Sequence, residues 1–408
     1  MQVPTRDEQG PDENRVHRGD PADRCREDQE DLAQGAADQV SKTGSIVRPA
    51  TPDDSPAIAG VLDRTLGSRP YEQRLALWKW RVDWNPARTG AFPSFLVVEE
   101  KGRIVGVQGL IPLRMKAGDK ELPISCSCDL AVDPAARSAG MKLKLAALSR
   151  ELSPLHLSTS ANEPACKITV ALGGKEVSWC RRKWIMPLKA SGLMSRRWAK
   201  GGEAGERIAG ASAAIMKPVD WMMAISRSLK TPKAVAGGNI VDIEGFDVRF
   251  DRFWEELAKE HVILAVRNSS YLNWRYSGYP FPGIRSFELS RGKQLLGFSV
   301  IHIAVDEDRL RFAAILELAG HTGEDGVPEH LLGEAIRRAR GAGAHYVIAR
   351  TSPSEEESFR KMGFLARDMS HSPVTYKNNS DVPKELFADD RNWYVTLGDG
   401  DGCYYYGS

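Results

Sequence analysis

The sequence predicts an α/β (α+β) protein in which a mixed, mostly antiparallel central sheet flanked by helices occurs twice. Three observations predict it. Segments with strand and helix periodicity follow one another between residues 46 and 190 in the order β-α-α-β-β-β-α-β-α-β. A short apolar strand runs into Asp133-Pro134, turns through Arg137 and Gly140, and opens a helix. Segments of this first half then recur, in the same order, in the second.

The elements can be taken in turn. Residues 1–45 hold five Arg and one Lys against seven Asp and four Glu, with almost no large apolar residue. Such a stretch cannot bury enough surface to offset its ordering entropy and reads as a disordered charged leader. Order begins at Ile46-Val47-Arg48-Pro49, a short strand. The run Thr51-Pro52-Asp53-Asp54 is a helix-start signal, and Ile58, Val61, Leu62 and Leu66 recur at helical spacing. A second helix, Tyr71 to Trp84, is aromatic and basic; its tryptophans read as packing against a sheet rather than as a platform for single-stranded nucleic acid. Phe95 to Glu100 and Ile104 to Gly109 flank a Lys101-Gly102-Arg103 turn, a hairpin signal. Ile111 to Met115 and Leu122 to Val132 flank a second turn at residues 117–120. The last of these strands feeds the turn at Asp133. His156 to Ser160 is a strand, and Cys166 to Leu172 a helix that Gly173-Gly174 ends.

A strand-to-helix turn with Gly at its tight point is an anion cradle, because the first helical turn carries unpaired N–H groups and the positive end of the dipole. Arg137 adds a fixed charge, and Gly140 lets backbone approach a ligand closely. The spacing Val-x-Pro-x-x-Arg-x-x-Gly resembles the acetyl-coenzyme-A signature of the GNAT superfamily of N-acyltransferases, which runs Arg/Gln-x-x-Gly-x-Gly/Ala. Here Lys142 takes the place of the last small residue. Asn162, Ala165 and Gly173 match a second motif of that superfamily, whereas Thr169 stands at its usual Tyr and Gly174 at its Phe. The resemblance covers roughly residues 45–190.

The resemblance implies that acetyl-CoA, or another acyl-CoA, is the co-substrate. It implies that Leu130, Val132, Arg137, Ser138, Ala139, Gly140, Met141, Lys142 and Asn162 hold it, where two adjacent strands ending near Val132 and Ser158 splay apart. Asp129, Glu99 and Glu100 are the acids near the strand ends, and Asp129, just before the turn, is the expected catalytic base. The family's Tyr often protonates the departing thiolate, and a Thr hydroxyl is a far poorer acid. The expected reaction is transfer of the acyl group to a primary amine of a small-molecule or cell-envelope acceptor. An aminoacyl-tRNA-dependent transferase of the peptidoglycan-bridge type and a non-catalytic coenzyme-A-binding scaffold are the other readings.

Residues 191–240 read as a connector and 241–408 as a second, degenerate copy. Lys79-Trp80-Arg81 recurs as Asn273-Trp274-Arg275, Ser94-Phe95 as Ser286-Phe287, and the Gly173 helix end as Met362-Gly363-Phe364. The counterpart of the anion turn, Leu316 to Gly326, lacks Arg-x-x-Gly and carries Glu324 and Asp325, so this copy is expected to have lost the cofactor. Asp399 and Asp401 near the C-terminus read as a solvated Gly-Asp loop.

Composition bounds the rest. A chain of 408 residues, 42% hydrophobic and 27% charged, is that of a globular protein. The net charge of +2 argues against general nucleic-acid binding. No run of about 20 apolar residues suits a bilayer, and no apolar signal core is seen, so a cytoplasmic protein is expected. The six cysteines form neither a disulfide framework nor a metal-ligand spacing; Cys126 and Cys128 read as small core residues.

Overall fold

The structure, a computed structural model, describes residues 45–401 except 68, 89, 91, 137–139, 192–217, 219–234 and 322–325. The expected leader, most of the connector, Arg137, Ser138 and Ala139 of the turn, and Glu324 and Asp325 therefore lie outside the described residues.

The first sheet is laid down by β1 (Ser45–Pro49), β2 (Phe95–Glu100), β3 (Arg103–Ala117), β4 (Lys120–Val132), β5 (Leu155–Ser158) and β6 (Lys175–Glu176). Strands β1 to β4 pair antiparallel in sequence order, and β5 joins β4 in parallel. The two apolar runs on either side of Leu110 form one continuous 15-residue strand, β3, buried without a break from Val105 to Leu113 and paired with β4 along most of its length. Helix α1 (Ser55–Leu66) covers one face, packing Ile58, Val61 and Leu62 onto Phe95, Val97 and Val107. Helix α2 (Tyr71–Trp78) follows, with Trp78 stacked on Phe95 at 4.6 Å. Helix α3 (Met141–Glu151) covers the other face through Met141 and Leu145. Helix α4 (Glu163–Ala171) lies between β5 and β6 in sequence.

The second sheet repeats this scheme. After β7 (Arg182–Pro187) and β8 (Asn239–Asp242) come helix α5 (Val248–Glu260), β9 (Ile263–Ala265) and the short α6 (Ser269–Leu272). Strands β10 (Ile284–Arg291), β11 (Gln294–Val305) and β12 (Arg311–Gly320) are antiparallel; α7 (Val327–Gly341) then leads to β13 (Tyr346–Ala349), parallel to β12. Next come α8 (Glu356–Lys361), β14 (Leu365–Asp368), β15 (Thr375–Asn378), α9 (Lys384–Ala388) and β16 (Trp393–Tyr394).

The sheets do not respect a division at residues 190 and 241. Strand β15, late in the chain, inserts between β5 and β6, and β7, early in the chain, inserts between β13 and β14. Each half thus completes the other's sheet beyond its parallel strand, where unpaired backbone groups would otherwise form an edge. Strand β9 extends the first sheet at the end of β3, and β16 pairs with β9.

The recurrent tryptophan segments meet. Each ends its helix in a wide π-type turn, Lys79–Asp83 and Asn273–Ser277. Trp80 and Trp274 stack at 5.2 Å, and each indole N–H donates at 2.7 Å to the other's backbone carbonyl. Both are buried in a core shared by the two halves. Among the described residues, no helix is long and apolar enough to cross a membrane.

Candidate functional site

The site is built by a gap in the first sheet. Strands β4 and β5 pair only from Ile124–Leu155 to Cys126–Leu157, while β4 runs on to Val132. A bulge sits just beyond: the β3–β4 register shifts between Val107 and Gly109, and Asp129 takes φ = 51°. A left-handed backbone at a non-Gly residue is costly, and Asp is among the types that tolerate it best. Gln108, buried opposite the bulge, fixes it by donating from its side-chain amide to the Cys128 carbonyl at 2.7 Å. The result is a cleft of about 280 Å³ whose walls include Ser127, Asp129, Lys142, Arg150, Thr169 and Asp401.

Of the residues around the expected anion turn, Leu130 before it and Lys142 after it line the cleft. Asp133 shapes the start of the turn: its carboxylate accepts from the Ala135 N–H at 3.0 Å and from Arg64 at 2.8 Å. Those contacts, the Ala135 amide first among the favourable ones, hold its pKa below the usual range. Gly140 caps α3 with φ = 102°, and a Cβ built there would meet nothing within 4 Å. The glycine is thus needed for its backbone conformation, not for space.

The remaining sequence-derived cofactor residues divide. Lys142 is exposed on the cleft wall, and Leu130 lines the cleft half-buried. Val132 and Met141 instead turn their side chains into the core beneath α3, so only their backbones are available to a ligand. Asn162 lines the cleft but spends its side-chain carbonyl on capping α4, accepting from the Ala165 N–H at 3.0 Å. Glu99 lies away from the cleft, paired with Arg48 at 2.9 Å, and Glu100 ends the same strand.

Two carboxylates stand in the cleft in different environments. Asp129 is engaged by the Arg81 guanidinium at 2.7 Å. Asp401 is fully buried and contradicts the expectation of a solvated loop. It accepts from Thr159 Oγ1 at 3.0 Å and from Ser160 Oγ at 2.5 Å, at the end of β5. Burial raises its pKa, and the nearby charge of Asp129 adds to the rise, against the lowering effect of the two hydroxyls. Ser160 is exposed, so its hydroxyl connects a buried carboxylate to the open cleft.

Asp401 is delivered by the C-terminal segment, which the second half grips. Arg275 donates to the carbonyls of Gly398 and Gly400. Arg267 pairs with Asp399 at 2.8 Å and Glu317 at 3.1 Å, and Tyr276 donates to Glu317 at 2.7 Å, all of them buried. Sequence reading missed this role because Asp401 lies 242 positions from Thr159. The Gly-Asp repeat was the one available signal.

The same segment fills the counterpart cleft of the second half. Beyond the last β12–β13 pair, Ile315–Ala349, the Leu316 carbonyl accepts from the Gly398 N–H at 2.8 Å. The Tyr394 hydroxyl donates to the Leu318 carbonyl at 2.6 Å.

Thr169 is buried in the first cleft, donating to the Ala165 carbonyl at 3.0 Å and accepting from Arg150 at 2.5 Å. Its hydroxyl is committed on both sides and is no substitute for an aromatic acid. Cys126 and Cys128 are buried, with thiols pushed well above their ordinary values by burial. Among the described residues, no group of three or more His, Cys, Asp or Glu is placed to hold a metal ion.

Comparison with known proteins places this geometry. Residues 46–152 match the family model described as an acetyltransferase (GNAT) domain. A GCN5-related N-acetyltransferase from Anabaena variabilis superposes with a TM-score of 0.53 at 10% identity, covering 82% of this chain and 73% of that one. Saccharomyces cerevisiae N-myristoyltransferase, solved with bound myristoyl-CoA, gives 0.52 at 12% identity over 83% and 78%. An Enterococcus faecalis protein titled a probable N-acyltransferase gives 0.51 at 11% over 82% and 72%. At these identities the likeness is one of fold. No curated protein matches the sequence. The chain thus carries a GNAT acetyltransferase domain over residues 46–152, and its two-sheet architecture is that of GNAT-fold proteins.

Proposed function

We propose that the protein is an N-acyltransferase that uses acetyl-CoA or another acyl-CoA in the β4–β5 cleft and acylates a primary amine of a small-molecule or cell-envelope acceptor. The observation that carries this reading is the buried Asp401 carboxylate, reached from the cleft through the Ser160 hydroxyl. The cleft also fits the donor. Exposed Lys142, just past Gly140, lines the cleft and can meet a phosphate, and the inner end of the cleft offers strand backbone that β5 leaves behind. Arg137, three residues before Gly140 in the sequence, would add a second charge. The bound acyl-CoA supplies an activated thioester.

The chain's own residues do the rest. A neutral amine must lose a proton as it attacks, so a base is required. Asp129 is held by Arg81, whereas Asp401 has its proton affinity raised by burial. Ser160 accepts the amine proton as its own passes to Asp401, and Asp129 with Arg81 fixes the bulge beside the reacting carbonyl. The second half acts as a degenerate copy that secures the C-terminal segment. A thioester donor of this kind suits the cytoplasm.

Titration calorimetry with acetyl-CoA on the full chain tests the reading. Micromolar binding, weakened at least tenfold by Lys142→Glu or Arg137→Glu, is expected. No binding by the intact protein would overturn it.

A further inference from the structure

Arg150 stands in an unusual position for a cation. It occupies the last turn of α3, is 4% exposed, and lines the cleft. Its Nη1 donates to the Ala146 carbonyl and its Nη2 to Thr169 Oγ1, both at 2.5 Å, while Nε has no partner. Two other buried guanidinium groups are matched to acids, Arg81 to Asp129 and Arg267 to Asp399 and Glu317. Arg150 has no carboxylate within ion-pair distance among the described residues. Its pKa falls to about 10 through burial alone, with no acid near enough to raise it. A buried, uncompensated charge is costly, and a site that keeps one is complementary to an anion that arrives with a ligand.

The location selects the anion. Thr169, which Arg150 contacts, stands where the resembling family carries the acid for the leaving sulfur. Arg150 reaches that place from the neighbouring helix. We propose that Arg150, oriented by Thr169, holds the coenzyme A sulfur as a thiolate when it leaves, replacing proton donation by charge. This rests on the acyl-CoA reading above. The nitrogen–carbon bond forms and the carbon–sulfur bond breaks. The electron pair of the broken bond stays on sulfur beside Arg150, and the amine proton goes through Ser160 to Asp401. A preorganised cation in a water-poor cleft stabilises charge as it develops.

The test uses binding, so it needs no acceptor. The full chain is titrated calorimetrically with free coenzyme A and, separately, with acetyl-CoA, which has no thiol to ionise. The series runs from about pH 6.5 to about pH 10.5, so that it passes the point at which free coenzyme A, an alkyl thiol less acidic than the ~8.5 of cysteine, ionises. If Arg150 pairs with the thiolate, coenzyme A tightens about tenfold more than acetyl-CoA, the equivalent of a one-unit fall in thiol pKa. Thiolate ultraviolet absorption of the bound ligand appears at correspondingly lower pH. Arg150→Met abolishes that difference while leaving acetyl-CoA binding within about threefold, and Arg150→Lys restores part of it. Should Arg150→Met fail to fold, Thr169→Val, which frees the guanidinium from its orienting partner, must shrink the difference. Identical pH profiles for the two ligands in the intact protein overturn the role of Arg150 and leave the donor reading standing. Failure of the intact protein to bind either ligand overturns both.

Discussion

Replacing Asp399 by Asn tests whether the second half holds the C-terminal segment for the first. Arg267 and Asp399 are 1% and 2% exposed at their side chains, and Arg267 Nη2 donates to both carboxylate oxygens at 2.9 and 2.8 Å. Asp399 Oδ2 also accepts from the Thr396 N–H at 2.8 Å. In Asp399→Asn one oxygen becomes an NH₂ that faces donors, and the negative charge disappears. Breaking a buried pair costs about 3–5 kcal/mol, and because Glu317 still neutralises Arg267 the expected loss lies near the lower end, about 3 kcal/mol. Urea unfolding reads this as a lower midpoint at unchanged slope. Asp381→Asn is the control: its partner Lys120 and its own side chain are 53% and 77% exposed, so no measurable shift is expected. Function should follow stability only in part. At temperatures where Asp399→Asn is folded, acetyl-CoA binding persists while turnover falls, because Asp401 is no longer held against Thr159 and Ser160. A cost below about 1 kcal/mol, or turnover equal to that of the intact protein, would refute the anchoring argument.

The remaining predictions concern the base, the shared core and pH. Asp401→Asn is expected to lower turnover about 10²–10⁴-fold with acetyl-CoA affinity retained, and Ser160→Ala to lower it less, because water can replace the relay. Trp80→Phe and Trp274→Phe should each cost about 1–3 kcal/mol in denaturant unfolding, since each leaves a buried carbonyl without its donor. The two costs should match within experimental error, and the double variant should cost less than their sum. His156 is buried, and burial, then the charge of Arg150, depresses its pKa to about 3. The unfolded chain therefore binds a proton that the fold refuses. Below about pH 6.5 the intact protein loses up to ~1.4 kcal/mol per pH unit relative to His156→Gln. Glu355, raised by burial to about 7, acts oppositely in both proteins and cancels in that difference. A pH-independent gap between the two would show that His156 accepts its proton in the fold.

Local features of the fold were legible, and long-range ones were not. The strand into Asp133, the glycine at 140 and the α3 helix follow from turn chemistry and periodicity that act over a few residues. The Trp80 and Trp274 repeat was visible as a pattern; that the two indoles bind each other's backbone was not, since no local rule pairs positions 194 apart. The exchange of β7 and β15 is hidden for the same reason: strand propensity says what pairs, not with which partner. In the site, Asp129 is placed at the cleft as its position suggested, but its engagement by Arg81 depends on a side chain 48 residues earlier. Val132 and Met141 show the limit of motif reading, which locates backbone around a ligand and leaves side-chain direction to the pleat and the helix face. Asp401 looked solvated because Gly-Asp runs usually are. Its burial depends on Thr159, Ser160 and Arg275, none of them near it in sequence.

The C-terminal segment packs tightly against both halves. Gly398 occupies the second cleft so closely that a Cβ there would meet Glu317 Oε1 at 2.7 Å and the Leu316 carbonyl at 2.8 Å. Two residues on, a Cβ at Gly400 would meet Cys126 Sγ at 2.6 Å in the first half, and Gly400 also needs φ = 72°. The Gly-Asp-Gly-Asp sequence therefore alternates residues that must be small with carboxylates that are each claimed, Asp399 by Arg267 and Asp401 by Thr159 and Ser160. A chain threaded in this way cannot leave the second cleft free for a ligand and still seat Asp401 in the first. The two halves are thus tied together by exchanged strands, reciprocal tryptophan hydrogen bonds and a terminal segment whose carboxylates are claimed by both.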